Sequence, residues 1–177
     1  MKYLIIIDVQ NDFVSGSLGT AEAREMLPKL LRKAKEFQGK ILMTKDTHGE
    51  DYLQTQEGKN LPVLHCAAGT EGWEFPEELE KIRRERQAKI YEKSCFGSRE
   101  LAEDIRRLYE EGAVDSVELV GLCTDICVVS NALMIKAAAP ELPVYVDASC
   151  CAGVTPGKHA AALEVMESCQ IKVKAAV

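Results

Sequence analysis

Six short apolar runs, rich in β-branched residues, are spaced along the chain. They lie at 3–7 (YLIII), 40–44 (KILMT), 88–91 (AKIY), 117–121 (VELVG), 144–148 (VYVDA) and 171–175 (IKVKA). Because their apolar positions are continuous rather than alternating, these runs predict strands that are buried on both faces. Amphipathic patterns at 22–37, 98–112 and 156–169 predict helices between them. The alternation predicts an α/β fold, with a parallel sheet covered by helices on both sides.

The connection from 45 to 87 departs from this alternation. It is rich in Asp, His, Gly and Pro, and its pattern predicts at most one short helix, near 76–85. Long ordered connections in compact domains are commonly functional. In parallel sheets, ligands bind beyond the carboxyl ends of the strands. Residues that follow a predicted strand are therefore the candidates for chemistry.

Composition narrows the class of protein. The 177 residues and the absence of a linker-like segment predict one domain over 1–177. A net charge of −6 argues against a nucleic-acid partner. The first apolar run is too short for a membrane span, which argues against a membrane partner. Seven cysteines, an odd number without a secretion signal, predict mostly free thiols and a cytoplasmic location.

Three reactive side chains follow different predicted strands. Asp8 follows the first, Lys93 the third, and the fourth runs into GLCTDICVV at 121–129, which contains Cys123 and Cys127. Cys127 is the better nucleophile, because the amide dipoles of a helix N-terminus there would favour its thiolate. An aspartate can take the thiol proton, and a lysine can keep that aspartate ionised.

Other roles for these cysteines stay open. Two cysteines four residues apart are also typical of a buried helix face. A non-catalytic thiol-redox protein could pair Cys127 with Cys123, Cys150 or Cys151, although it would not need Asp8 and Lys93.

The long connection carries a candidate metal site. Asp46 and His48 directly follow the second predicted strand, and His65 comes later in the same connection. One carboxylate and two imidazoles are a plausible ligand set for Zn²⁺, Mn²⁺ or Fe²⁺. A fourth ligand is open among three nearby acids, with Glu57 ahead of Glu50 and Asp51.

Five short motifs, in this order, together resemble one protein family. They are DVQNDF (8–13), TKDTH (44–48), LHCAAGTEGWEF (64–75), KSCFGS (93–98) and GLCTDICV (121–128). Their order and spacing closely resemble the isochorismatase-like cysteine hydrolases, and among these the nicotinamidases. The resemblance covers nearly the whole chain.

The resemblance implies a fold and a catalytic set. The fold is a three-layer αβα sandwich around a six-stranded, mostly parallel sheet of Rossmann-like type. The implied triad is Asp8, Lys93 and Cys127. The resemblance further implies a cis peptide between Leu122 and Cys123, with the backbone amides of Cys123 and Cys127 as an oxyanion hole.

The resemblance also implies a metal, a substrate and an assembly. The metal, Zn²⁺ ahead of Mn²⁺ or Fe²⁺, would be held by Asp46, His48, Glu57 and His65. The substrate would be nicotinamide, hydrolysed to nicotinate and ammonia, in a pocket that includes Phe13, Phe96 and Leu122. A homo-oligomer is expected. Many nicotinamidases have an aromatic residue before the last histidine, whereas this chain has LPVLH, so another small amide such as a carbamoyl or ureido compound stays open.

Overall fold

The described residues form one all-parallel sheet of six strands. The computed structural model describes residues 1–174. The strands are β1 (Lys2–Ile7), β2 (Lys40–Asp46), β3 (Lys89–Lys93), β4 (Ser116–Leu122), β5 (Val144–Ala152) and β6 (Lys172–Lys174). Their order in the sheet is β3-β2-β1-β4-β5-β6. Each matches a predicted run, and β5 extends four residues beyond its run. Ala175, the last residue of the 171–175 run, lies outside the described residues.

The described part of the chain contains seven α-helices. They are α1 (Asn11–Val14), α2 (Ala21–Glu36), α3 (Gln56–Asn60), α4 (Glu77–Arg86), α5 (Arg99–Glu110), α6 (Val129–Ala138) and α7 (Pro156–Ser168). Helices α2 and α4 pack together on one side, and α5, α6 and α7 form the other layer. The predicted three-layer α/β arrangement is therefore confirmed. None of the helices in the described part of the chain is long and apolar enough to cross a membrane.

Local signals explain where the longer helices begin. The side chains of Thr20, Ser98 and Thr155 each accept a hydrogen bond from a backbone N–H in the first turn of α2, α5 and α7. Such caps satisfy amide donors that have no partner inside the helix. Pro156 occupies the first position of α7, where its missing N–H costs nothing.

The prediction of at most one short helix between 45 and 87 was wrong. In addition to α4, this connection contains α3 and two 3₁₀ turns, Tyr52–Gln54 and Glu71–Trp73. These elements are three to five residues long, which is too short for an apolar period to show in the sequence. They form through local bonds, such as that from the Gly58 amide to the Thr55 hydroxyl.

The sheet order places the candidate residues. Strand β1 lies between β2 and β4, so the direction in which strands are added reverses beside it. Parallel sheets bind ligands in the crevice at such a reversal, beyond the carboxyl ends of the strands. Residues 4–7 of β1 are fully buried, which makes the strands around this crevice a rigid support.

Candidate active site

Asp8 stands where the chain leaves β1. Its backbone φ of 46° turns the chain out of the sheet, and the residue is fully buried. Thr44 on β2 orients the carboxylate, because its hydroxyl donates to Asp8 Oδ1 at 2.6 Å and accepts from the Asp8 amide at 3.1 Å. The Oδ2 atom faces the ammonium of Lys93 at 2.6 Å. One carboxylate oxygen is thus held by a hydroxyl and the other by a buried cation.

Lys93 brings the other groups together. From the end of β3, its Nζ lies 2.6 Å from Asp8 Oδ2, 3.3 Å from Asp46 Oδ1 and 3.5 Å from Cys127 Sγ. The ammonium is almost fully buried, with 3% of the side chain exposed. The structure therefore brings together Asp8, Lys93 and Cys127, the three residues that the sequence predicts at the ends of separate strands.

Cys127 lies in a π-helical turn, Thr124–Val128, directly after β4. The Cys123 carbonyl accepts from the Val128 amide at 3.1 Å, and Asn131 Nδ2 donates to the Cys127 carbonyl at 2.8 Å. Single π-turns often occur at functional sites. The peptide between Leu122 and Cys123 is cis, as expected. The oxyanion role of the Cys123 and Cys127 amides stays a prediction.

The expected stabilisation of the Cys127 thiolate by a helix N-terminus does not decide the direction of the Cys127 pKa. Burial, followed by the charge of Asp8, raises the pKa of Cys127 well above its ordinary value, and Lys93 only partly opposes this. Burial therefore favours the thiol of Cys127 over its thiolate. Burial also raises the pKa of Asp8, although Lys93 counteracts it. Burial acts against the charge of Lys93, but the attraction of the Asp8 and Asp46 carboxylates outweighs burial and raises the pKa of Lys93.

Asp46, His48, Glu57 and His65 form one compact group. One possible ligand atom from each lies within 4.8 Å of the others. Asp46 Oδ2 is 2.9 Å from His48 Nε2 and 3.6 Å from His65 Nε2, while Glu57 Oε1 is 3.7 and 3.8 Å from the same nitrogens. Glu50 and Asp51 are exposed and lie outside this group.

The donor set fits a divalent metal such as Zn²⁺. It offers two imidazole nitrogens and two carboxylates, which are ordinary zinc ligands. His65 Nδ1 lies 2.8 Å from the Val63 carbonyl, so its Nε2 is aimed into the group, and such carbonyl bonds commonly orient metal-binding histidines. Burial opposes the charge of Asp46, but hydrogen bonds from His48 and His65 outweigh it and lower its pKa. The carboxylate is thus ionised, as a metal ligand must be.

Sequence reasoning missed Tyr52. This fully buried residue packs its ring against both histidines, with ring centroids 4.5 Å from His48 and 5.1 Å from His65. Its hydroxyl donates to the Leu61 carbonyl at 2.9 Å. A lone tyrosine in a polar connection carries no periodic signal, so its role depends on the folded connection.

The three predicted pocket residues lie in different surroundings. The Phe13 ring is buried, with its centroid 5.4 Å from that of His65. Leu122 is buried at the end of β4, next to the nucleophile turn. Phe96 is 43% exposed. Contact with substrate stays a prediction for all three.

The remaining cysteines and the third histidine lie outside both groups. All seven cysteines are free, and Cys150 and Cys151 are buried in β5. His159 on α7 has its Nδ1 2.8 Å from the Thr124 hydroxyl and is not part of the metal-ligand group. It therefore braces the nucleophile turn from the neighbouring helix.

Comparisons with known proteins agree with this geometry. The family model for the isochorismatase domain matches residues 2–176. The nicotinamidase/pyrazinamidase of Mycobacterium tuberculosis is 28% identical over 98% of both chains. The Pyrococcus horikoshii pyrazinamidase, crystallised in complex with zinc, is 29% identical over 99% of both chains, with a TM-score of 0.77.

A further solved structure supports the fold. The pyrazinamidase/nicotinamidase of Streptococcus mutans is 26% identical, with a TM-score of 0.82 over 98% of this chain and 100% of that one. These relatives confirm the family and the fold that the motifs predict. Because the family model spans nearly the whole chain, the protein belongs to the isochorismatase family.

Proposed function

We propose that this protein is a nicotinamidase that hydrolyses nicotinamide to nicotinate and ammonia, with Cys127 as nucleophile. One observation carries the proposal: the Asp8–Lys93–Cys127 cluster adjoins a four-residue metal-ligand group, because Lys93 also contacts Asp46 of that group. The names of the relatives, nicotinamidases and pyrazinamidases, support a small aromatic carboxamide as the substrate.

Acylation begins with proton transfer from the thiol. Because burial favours the thiol of Cys127, its sulfur needs a base, and the Asp8 carboxylate is the buried acceptor beside it. As the proton moves to Asp8, the sulfur attacks the amide carbon and Lys93 stabilises the developing thiolate charge. The negative charge passes to the carbonyl oxygen, which the Cys123 and Cys127 amides would stabilise by about 3 kcal/mol for each hydrogen bond.

Collapse of the tetrahedral adduct releases ammonia. The C–N bond breaks while the protonated Asp8 returns its proton to the departing nitrogen, which leaves a thioester on Cys127. A water molecule, deprotonated by Asp8, then attacks the thioester carbon. The C–S bond breaks, nicotinate forms, and the sulfur regains a proton from Asp8.

Asp46, His48, Glu57 and His65 would hold the metal. When bound, a divalent cation supplies a Lewis-acid contact for the pyridine nitrogen of the substrate, directly or through water. The protein itself contributes the orientation. Thr44 fixes the Asp8 carboxylate, and the Cys127 turn is held by Asn131. The carboxamide would thereby face the sulfur.

Ammonia release from nicotinamide by the purified protein tests the proposal. The wild type should release ammonia at a rate that falls to background in Cys127→Ala. Cys150→Ala is a matched control, because this thiol is equally buried but outside the site, and it should retain the wild-type rate. Prior removal of metal with a chelator should lower the wild-type rate, and added Zn²⁺ should restore it.

Two results would contradict the proposal in different ways. Retained turnover in Cys127→Ala would exclude that residue as the nucleophile. No ammonia from nicotinamide, with release from a carbamoyl or ureido compound that depends on Cys127, would favour the second candidate substrate class. The segment before His65 supports that alternative, since it has no aromatic residue and Leu64 in it is 50% exposed.

A further inference from the structure

Gln10 is a buried polar residue with no role in the reaction steps above. It belongs to the DVQNDF segment, two residues after Asp8, and is fully buried. Its side-chain amide makes three hydrogen bonds, all to backbone groups. Nε2 donates to the Asp46 carbonyl at 2.8 Å and to the Trp73 carbonyl at 3.0 Å, and Oε1 accepts from the Asp46 amide at 2.8 Å.

The bonds to Asp46 replace a missing strand. Strand β1 pairs with β2 as far as Met43, and then leaves the sheet at Asp8. On its other side, Asp46 lies opposite Lys93 of β3. The backbone N–H and C=O of Asp46 that face β1 would lack partners, and buried backbone groups rarely stay unpaired. The Gln10 amide supplies one acceptor and one donor, as a neighbouring strand would.

The third hydrogen bond of the Gln10 side chain, to the Trp73 carbonyl, connects the long connection after β2 to the end of β2. Trp73 lies eight residues after His65, at the end of the 3₁₀ turn Glu71–Trp73. Its carbonyl accepts from Gln10, and its indole Nε1 donates to the Thr47 hydroxyl at 2.9 Å. Gln10 also bonds through its own backbone, since its N–H donates to the Asp8 carbonyl at 2.8 Å. Gln10 therefore connects the base, the end of β2 and the connection that carries His65.

We propose that Gln10 is the positioning residue that fixes Asp46 as a metal ligand. Asp46 Oδ2 faces His48 and His65, while Oδ1 faces Lys93. A small shift of the Asp46 backbone would therefore displace its carboxylate from both the metal-ligand group and the catalytic cluster. The inference rests on the metal site of the proposed function. Residues that orient metal ligands typically change metal affinity about 10- to 100-fold when replaced.

Zinc affinity of the folded protein tests this role. The dissociation constant for Zn²⁺ would be measured by competition with a chromophoric chelator, on metal-free wild type and variants at a temperature well below unfolding. Gln10→Met keeps the length but removes all three bonds, and should weaken zinc binding about 10- to 100-fold. Gln10→Asn keeps an amide but is one methylene shorter, and should also weaken it. This second variant answers the question if the first fails to fold.

Two controls separate positioning from general loss of stability. Gln38→Met changes an exposed glutamine and should bind zinc as the wild type does. Met166→Ala removes a fully buried side chain of α7 that is not part of the metal-ligand group, and should lower the unfolding temperature without changing zinc affinity. Wild-type zinc affinity in both Gln10 variants would overturn the inference and leave the proposed function standing. No zinc binding by the wild type would overturn the metal site and the inference together.

Discussion

Replacing Lys93 with methionine tests whether the buried cluster depends on its one ammonium. Lys93→Met keeps most of the side-chain volume but removes the charge that lies 2.6 Å from Asp8 and 3.3 Å from Asp46. Both carboxylates are buried, with 0% and 6% of their side chains exposed. The variant therefore contains two buried acidic groups without the cation that compensates them.

The expected loss of folding stability follows from the burial of both carboxylates. Removing one partner of a buried ion pair typically costs about 3–5 kcal/mol, because the remaining charge stays out of water. For a chain of this size, 1 kcal/mol corresponds to roughly 2–4 °C in the unfolding temperature. Lys93→Met should accordingly unfold about 6–20 °C below the wild type. Ammonia release should also be lost, because Asp8 and Cys127 lose their shared cation.

Lys45 provides a matched control. It is also a buried lysine near the end of a neighbouring strand, but its ion-pair partner Glu74 is 51% exposed. After Lys45→Met, water can still solvate the Glu74 carboxylate. What is lost is that pair and the contact of the ammonium with the Trp73 ring, whose centroid is 3.5 Å away. Together these are worth about 1–3 kcal/mol.

A double variant measures the interaction energy between Asp8 and Lys93. Asp8→Asn removes the charge that Lys93→Met leaves uncompensated, so the two changes should be less harmful together than their sum, by about 0.5–3 kcal/mol. Stability would be measured by urea unfolding in the presence of a chelator, so that metal binding does not contribute. If Lys93→Met costs no more than Lys45→Met, and the two changes simply add, the cluster is not a compensated buried ion pair.

Three further changes test other parts of the molecule. Asp8→Asn removes the proton acceptor and should lower the rate of ammonia release by about 10²–10⁴-fold with an unchanged circular dichroism spectrum, so near-normal kinetics would exclude Asp8 as the base. His48→Ala should lower the zinc content found by elemental analysis, and wild-type content would argue against its place in the metal group. Burial acts to raise the pKa of Asp147, but hydrogen bonds from Lys33 and Ser149 outweigh burial and lower this pKa. The stability that this lowered pKa contributes is present when the pH is above the pKa of Asp147 in the unfolded chain, and it is lost as the pH falls through the folded-state pKa. Lys33→Met should therefore make the free energy of unfolding, measured with urea, depend less on pH in the acid range. An unchanged pH profile would contradict this.

Much of the architecture could be predicted from local pattern. Strands buried on both faces give continuous apolar runs, and Ser98 and Gly112 mark the ends of a helix by chemistry that acts within a few residues. The candidate residues could be predicted for the same reason, since Asp8, Lys93 and Cys127 each follow a recognisable strand. Parallel strands then bring their carboxyl ends to one edge.

What could not be predicted depends on groups far apart in sequence. The direction of the Cys127 pKa is set by burial and by Asp8, while the sequence around the thiol indicates only a strand followed by a helix. Likewise, nothing around Tyr52 indicates that its ring lies against two histidines. Gln10 acts on Asp46, which is 36 residues away, and its function exists only once β1 has left the sheet.

The central place of β1 has a consequence for folding. This strand pairs on one side with β2 and on the other with β4, whose residues are more than a hundred positions away along the chain. Contacts between distant segments form slowly, because the loop between them must be closed before the pairing stabilises it. Asp8 and Cys127, which both contact Lys93, come together only when that pairing is complete. Recovery of activity after dilution from denaturant should therefore lag behind recovery of helix content.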